Sequence, residues 1–201
     1  MLQNKHAHQF KGFTLIEMVV AMSVFVTALL IVIGALVSLQ AESRKTQAAR
    51  VISDNLGAAM DSMSRDIRMG TTYHCGIGGS LDVAQDCPVT AMVGDSVVAF
   101  ERQGGDSSNP ADQVVYRLNT GRIERSLDSG TTYVPLTAPD IQISNLKFFV
   151  QGATPILGNR FQPSVTIIIN ASAGLQQKTR TYFHLETTVS ERVPNLNILA
   201  P

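Results

Sequence analysis

Lys11-Gly12-Phe13-Thr14-Leu15-Ile16-Glu17-Met18 opens the stretch on which the reading of this chain turns. From Phe13 to Leu39 run 27 residues in which Glu17 is the only charge. As a helix this run extends about 40 Å at about 1.5 Å per residue, against a bilayer hydrocarbon core of about 30 Å. It is long enough to cross a membrane. A carboxylate inside such a span costs roughly 2.5–3.5 kcal/mol near the helix centre, so Glu17 calls for a partner or for a place at the interface.

An ordinary secretory signal does not fit the run. Lys5 and Lys11 supply a basic start, but the apolar stretch far exceeds the usual length of about 7–15 residues. Ile33, Leu36 and Leu39 occupy the places where a signal-peptide cut wants small side chains. Arg44, Lys45 and Arg50 follow the span, so the positive-inside rule assigns no orientation. The cysteines beyond it favour an exported C-terminal part. A plain single-pass anchor with Glu17 at the interface accounts for composition and periodicity taken alone.

Beyond the span the helical pattern continues. Ala49, Ile52, Leu56, Met60, Met63 and Ile67 recur at three- or four-residue steps and define one apolar stripe. Arg44, Asp54, Asp61, Arg65 and Arg68 fall largely outside it. The spacing predicts a helix from about Thr14 to Met69, ending before Gly70, with the stripe laid across a sheet as core. Gly70 to Gly94 reads as a Gly-rich loop. Cys75 and Cys87 lie within it, and a disulfide between them would be worth about 3 kcal/mol. Two unlinked buried thiols are the alternative.

The remainder reads as strands: Ser96 to Arg102, Gln113 to Leu118, Arg122 to Ser126, Ile141 to Gln151, Ser164 to Ala171 and Thr179 to Glu191. Asn119-Thr120-Gly121 is a hairpin signal, with glycine where positive φ is needed. Leu146, Phe148 and Val150 share one face, as do Val165, Ile167 and Ile169, and Phe183, Leu185 and Val189. The expected fold is α+β, a long N-terminal helix packed on one antiparallel sheet.

The chain has 201 residues, enough for one domain plus an anchor, with 16 basic and 16 acidic residues. No basic tract follows the span, so nucleic-acid binding has no electrostatic footprint. Of four histidines, His6 and His8 precede the span, His74 reads as loop and His184 as strand. His184 and Glu186 share a strand face, a spacing that suits a surface pair better than a catalytic one. No nucleophile elbow, phosphate loop or metal-spaced cluster is present in the sequence, which speaks against an enzyme and implies no cofactor and no metal.

The opening stretch resembles the class III signal of type IV prepilins and pseudopilins. In that family a short basic leader ends in glycine, a prepilin peptidase cuts after it, and the new N-terminal residue is methylated. The resemblance places the cleavage site at Gly12–Phe13 and N-methylation on Phe13, and it makes Glu17 the fifth mature residue. It implies that cleavage turns the Phe13 amide into a cationic amine, which pairs with Glu17 of a neighbouring subunit during assembly. Many pilins carry a proline about two-thirds along the span; here Gly34 stands in that neighbourhood.

A weaker similarity narrows the subgroup. Ser64-Arg65-Asp66-Ile67-Arg68, Val114-Val115-Tyr116-Arg117-Leu118 and Gly121-Arg122-Ile123-Glu124-Arg125 resemble W-type minor pilins and J-type minor pseudopilins, as does Leu146-Lys147-Phe148-Phe149-Val150. Glu17 argues against the K-type tip subunit. The cysteines also lie just after the helix, whereas the usual major-pilin disulfide encloses a C-terminal segment.

These readings divide the chain into a leader (1–12), a transmembrane helix (13–39), an amphipathic continuation (40–69), a disulfide-bridged loop (70–95), a β-rich part (96–192) and a tail (193–201). The resemblance implies a single-pass inner-membrane precursor in contact with lipid, an extracytoplasmic C-terminal domain, and later residence in a pilus or pseudopilus. Its implied partners are prepilin peptidase, other pilin subunits through the N-terminal helix, and the inner-membrane assembly platform. The resemblance implies a subunit that initiates or caps a filament, and leaves open a type IV pilus, a type II secretion pseudopilus or a DNA-uptake pilus. A membrane-anchored extracytoplasmic binding protein or adhesin is the rival reading.

Overall fold

The computed structural model describes residues 12–87, 94–106, 109–154, 162–173 and 180–192. Most of the leader, the tail from 193, and parts of the expected loops after Cys87 and Ala173 lie outside the described residues. Among the described residues one helix, α1 (Leu15–Met69), precedes eight strands: β1 (Thr71–Cys75), β2 (Val97–Glu101), β3 (Val114–Asn119), β4 (Arg122–Ser126), β5 (Val134–Pro135), β6 (Ile141–Gln151), β7 (Ser164–Ala173) and β8 (Thr181–Ser190). The chain divides into two compact units, residues 1–44 and 45–201, with the boundary inside α1. An α+β architecture with a long N-terminal helix and antiparallel sheets is what the structure shows.

In the first unit the apolar side chains of the helix are exposed. Leu15 is 82% exposed and Ile31 73% exposed, and the helix is long and apolar enough to cross a membrane. Within the span, hydroxyls return to the helix backbone: Ser23 donates to Val20 O, Thr27 to Val24 O and Ser38 to Gly34 O. Donors that would be stranded in hydrocarbon are thereby satisfied locally.

In the second unit the stripe on α1 becomes the core. Ile52, Leu56, Met63 and Ile67 are fully buried, with Ala59 beside them, and Met60 packs at the margin. They join Phe100, Tyr116, Ile123, Phe148, Ile167 and Ile169 in one cluster. Arg65 and Arg68 stay exposed, as the period requires. Burial of each large aliphatic chain contributes roughly 1.5–3 kcal/mol, so this stripe is what holds the helix to the sheets.

The strands form two sheets where one was expected. The order is β1-β2-β3-β4-β5 in the first and β6-β7-β8 in the second, all neighbours antiparallel. Isolated bridges Cys87–Val150 and Asp95–Phe148 connect β6 to the segments between β1 and β2. The second sheet stacks its core face in rows: Val150, Val165 and Val189 are cross-strand partners, as are Leu146, Ile169 and Leu185. Such pairs are the stabilising unit of a sheet. β5 ends the first sheet with Pro135, a residue that cannot donate to a further strand.

Two bulges decide which side chains face the core. In β6 the register slips between Ile143 and Asn145. Without that extra residue Ile141 and Ile143 would lie opposite Leu146, Phe148 and Val150; with it, all five are buried. In β1 the shift falls between Thr71 and His74, at Thr72 with φ 52°. This bulge breaks the alternation, and it is why a stretch that reads as loop opens with a strand. At the hairpin between β3 and β4, Asn119 pairs with Arg122, leaving Thr120 (φ 47°) and Gly121 (φ 76°) as a two-residue turn. Two consecutive positive φ values make it a type I′ turn, whose twist matches the strands.

The helix ends on side chains and neighbouring backbone. The Tyr73 hydroxyl, with one hydrogen to share, lies 2.6 Å from Ile67 O and 2.7 Å from Gly70 O, and Arg192 N donates to Arg68 O at 2.9 Å. These donors satisfy carbonyls that the last turn leaves without intrahelical partners. Cys75 and Cys87 are bonded to each other, both buried, with Cα atoms 5.9 Å apart.

Candidate functional site

The residues singled out by the sequence gather at the start of α1. Gly12, Phe13 and Thr14 precede the first helical residue, Leu15, and Phe13 is 83% exposed. Thr14 N and Thr14 Oγ1 both donate to Glu17 Oε2 at 3.0 Å, and Glu17 N donates to Thr14 Oγ1 at 3.3 Å. Thr14 is thus the N-cap and Glu17 the third helical residue of a reciprocal capping box, which satisfies amides that the first turn would leave open. The carboxylate also sits at the positive end of the helix dipole.

This arrangement supplies a local partner for the lone acid, and the sequence carries its signature, Thr-x-x-Glu ahead of an apolar run. Thr14 is a partner for Glu17 beyond those expected from the sequence, the interface and a neighbouring subunit. Only Oε2 is engaged; Oε1 has no hydrogen bond among the described residues. The box therefore orients the acid and leaves one oxygen able to accept from a second donor. Its chemistry is that of an anchored anion at a helix end.

Away from this end, other candidate residues have structural surroundings. His184 Nδ1 meets Asn170 Oδ1, its cross-strand partner, on the exposed face of the second sheet. Among the described residues no group of three or more His, Cys, Asp or Glu side chains could hold a metal ion. Tyr116 Oη donates to Asp66 Oδ2 at 2.6 Å, and Arg125 Nη1 reaches the same oxygen at 3.3 Å. These two contacts bring together α1, β3 and β4. Burial first, then the hydrogen bond to Asp66, pushes the Tyr116 phenol well above its ordinary range.

Residues 8–38 match the family model described as the prokaryotic N-terminal methylation motif. No curated protein and no solved structure matches the chain. The match covers Gly12, Phe13, Thr14, Glu17 and the apolar span together. Over these residues the chain is similar to the class III signal of type IV prepilins and pseudopilins, and the helix that begins there is long and apolar enough to cross a membrane.

Proposed function

We propose that this protein is a minor pilin or pseudopilin subunit, cut by prepilin peptidase between Gly12 and Phe13 and methylated on the Phe13 nitrogen. The observation that carries the reading is the methylation motif over residues 8–38, within which α1 begins and exposes its large apolar side chains from Leu15 to Leu39. Those side chains suit lipid before assembly and neighbouring helices after it. Cleavage supplies a cationic amine beside Thr14, and Glu17 of an adjacent subunit presents Oε1 to it. In a low-dielectric bundle, removing one member of such a pair strands the other, at about 3–5 kcal/mol.

The subgroup reading, W-type minor pilin or J-type minor pseudopilin, is supported by where its segments fall. The segments 64–68, 114–118 and 121–125 contribute Asp66, Tyr116 and Arg125 respectively, and these three side chains meet. A subunit of this type initiates or caps the filament from the inner-membrane platform, with the C-terminal unit extracytoplasmic.

The test is intact-mass analysis after expression with a prepilin peptidase. The expected product begins at Phe13 and carries one methyl group. A mature chain that retains Met1 to Gly12 overturns the proposal and favours a membrane-anchored binding protein.

A further inference from the structure

Where the chain passes from β2 to β3, three buried side-chain oxygens have no hydrogen-bond partner among the described residues: Glu101 Oε1, Asp112 Oδ1 and Gln113 Oε1. Glu101, the last residue of β2, is 3% exposed, and Gln113, which precedes β3, is fully buried. Their head groups meet, with Gln113 Nε2 donating to Glu101 Oε2 at 2.6 Å. With Glu101 ionised this orientation of the amide is forced, since the reverse would set two acceptors face to face. We propose that Glu101, Asp112 and Gln113 form a calcium site that ties down the connection between β2 and β3.

The unpartnered atoms are all acceptors, and backbone donors close to them in sequence are committed elsewhere. Gly105 N donates to Arg102 O at 3.0 Å and Asn109 N to Asp106 O at 2.8 Å. Ala111 N donates to Asn109 Oδ1 at 3.1 Å, and Gln113 N to Ser129 Oγ at 3.0 Å. The turn also closes tightly over the carboxylate, because a Cβ at Gly105 would collide with Glu101 Oε1. That oxygen therefore has protein against it in place of bulk water. A buried acceptor left in this state is costly, and more so when it carries charge.

Charge is what favours a cation over a water molecule here. Among the described residues neither Glu101 nor Asp112 makes an ion pair. Of the charges that act on Glu101, Asp112 acts most strongly and repels it; Asp106 adds to the repulsion, and the exposed Arg102 opposes it. Burial is the main cause that pushes the Glu101 carboxyl above its ordinary value, and the Asp112 charge adds to it. Water donates to such oxygens but leaves the repulsion in place, whereas a divalent cation answers both. Two carboxylates and an amide oxygen are hard ligands, which suit calcium; water and backbone carbonyls ordinarily complete its shell of about 6–8 oxygens. With two carboxylates and one amide, the set is not a group of three or more His, Cys, Asp or Glu side chains.

The full-length chain in non-ionic detergent micelles, titrated with calcium chloride and followed by calorimetry and thermal melting, tests this directly. Binding with a Kd of about 10⁻⁴–10⁻³ M is expected. At about 10 mM calcium the melting temperature should rise by roughly 3–10 °C. Glu101→Gln and Asp112→Asn, which keep shape and remove one charge each, should each weaken binding about ten-fold. Asp112 is only half-buried, so its variant tests the site even where Glu101→Gln fails to fold. A melting temperature that ignores calcium overturns the proposal. So does an equal rise with magnesium, the mark of general charge screening, or an undiminished rise in either folded variant. None of these outcomes depends on the filament reading.

Discussion

Tyr116 donates its phenol hydrogen to Asp66 Oδ2 across 2.6 Å, joining the middle of β3 to the last turns of α1 over 50 positions of sequence. Arg125 shares that carboxylate at 3.3 Å, with about a third of each charged side chain exposed. The exposed ion pair is worth little by itself, about 0–1 kcal/mol. The hydroxyl is another matter, because Tyr116 is fully buried.

Removing the acceptor should therefore cost more than removing the donor. Tyr116→Phe loses one hydrogen bond while Asp66 keeps Arg125, a loss of about 1 kcal/mol. Asp66→Ala leaves a buried hydroxyl without its partner, at about 1–3 kcal/mol. Denaturant midpoints of the two variants check the order; equal losses would contradict the asymmetry.

Glu191 makes stability depend on pH. Burial raises its carboxyl from the ordinary 4.5 to about 7. The folded chain then holds a proton that the unfolded chain releases, so stability falls as pH rises from about 4.5 to about 7 and levels off above. The whole effect is at most on the order of 3 kcal/mol. Melting temperatures of the wild type should decline over this window, and Glu191→Gln should flatten the decline. An identical slope in the variant would reject Glu191 as its source.

Cys75→Ser with Cys87→Ser should cost about 2–4 kcal/mol. The two sulfurs lie under β6, within 3.8 Å and 3.5 Å of Phe148 O, and Cys87 N donates to Val150 O at 2.9 Å. Freeing the loop thus loosens a seam between the two sheets as well as the loop. Denaturation with and without reductant measures the effect on the wild-type chain. A reduced protein as stable as the oxidised one would show that the seam holds without the bond.

Thr14→Val removes the hydroxyl side of the capping box, at about 1 kcal/mol of local helix stability, yet keeps the Thr14 amide donor to Glu17. Glu17→Ala removes the anion itself. Incorporation into filaments, measured in sheared surface fractions, should fall partially for Thr14→Val, recover in Thr14→Ser and fail for Glu17→Ala. Undiminished incorporation of Glu17→Ala would sink the pairing across subunits.

Much of the fold is legible along the chain because its signals are local. The apolar run from Phe13 declares a span by length, and Ile52, Leu56, Met63 and Ile67 declare a buried face by period. The strands with strict alternation, Val165 to Ile169 above all, read directly. β1 does not, because the bulge at Thr72 interrupts its period. β5 is two residues long and both are exposed, so it carries no pattern to detect.

At the candidate site the Gly12–Phe13 junction, the acid at 17 and even its Thr14 partner are written within six residues, a separation over which helix geometry alone sets the contacts. Asp66, Tyr116 and Arg125 sit in segments that look alike only as motifs; their meeting at one carboxylate needs the chain to close loops of 50 and 59 residues. The sorting of strands into two sheets and the slip at Ser144 that turns Ile143 and Leu146 to the same side belong to the same category. Each depends on contacts between distant segments, whose geometry is set by packing the whole core and by no pattern along the chain.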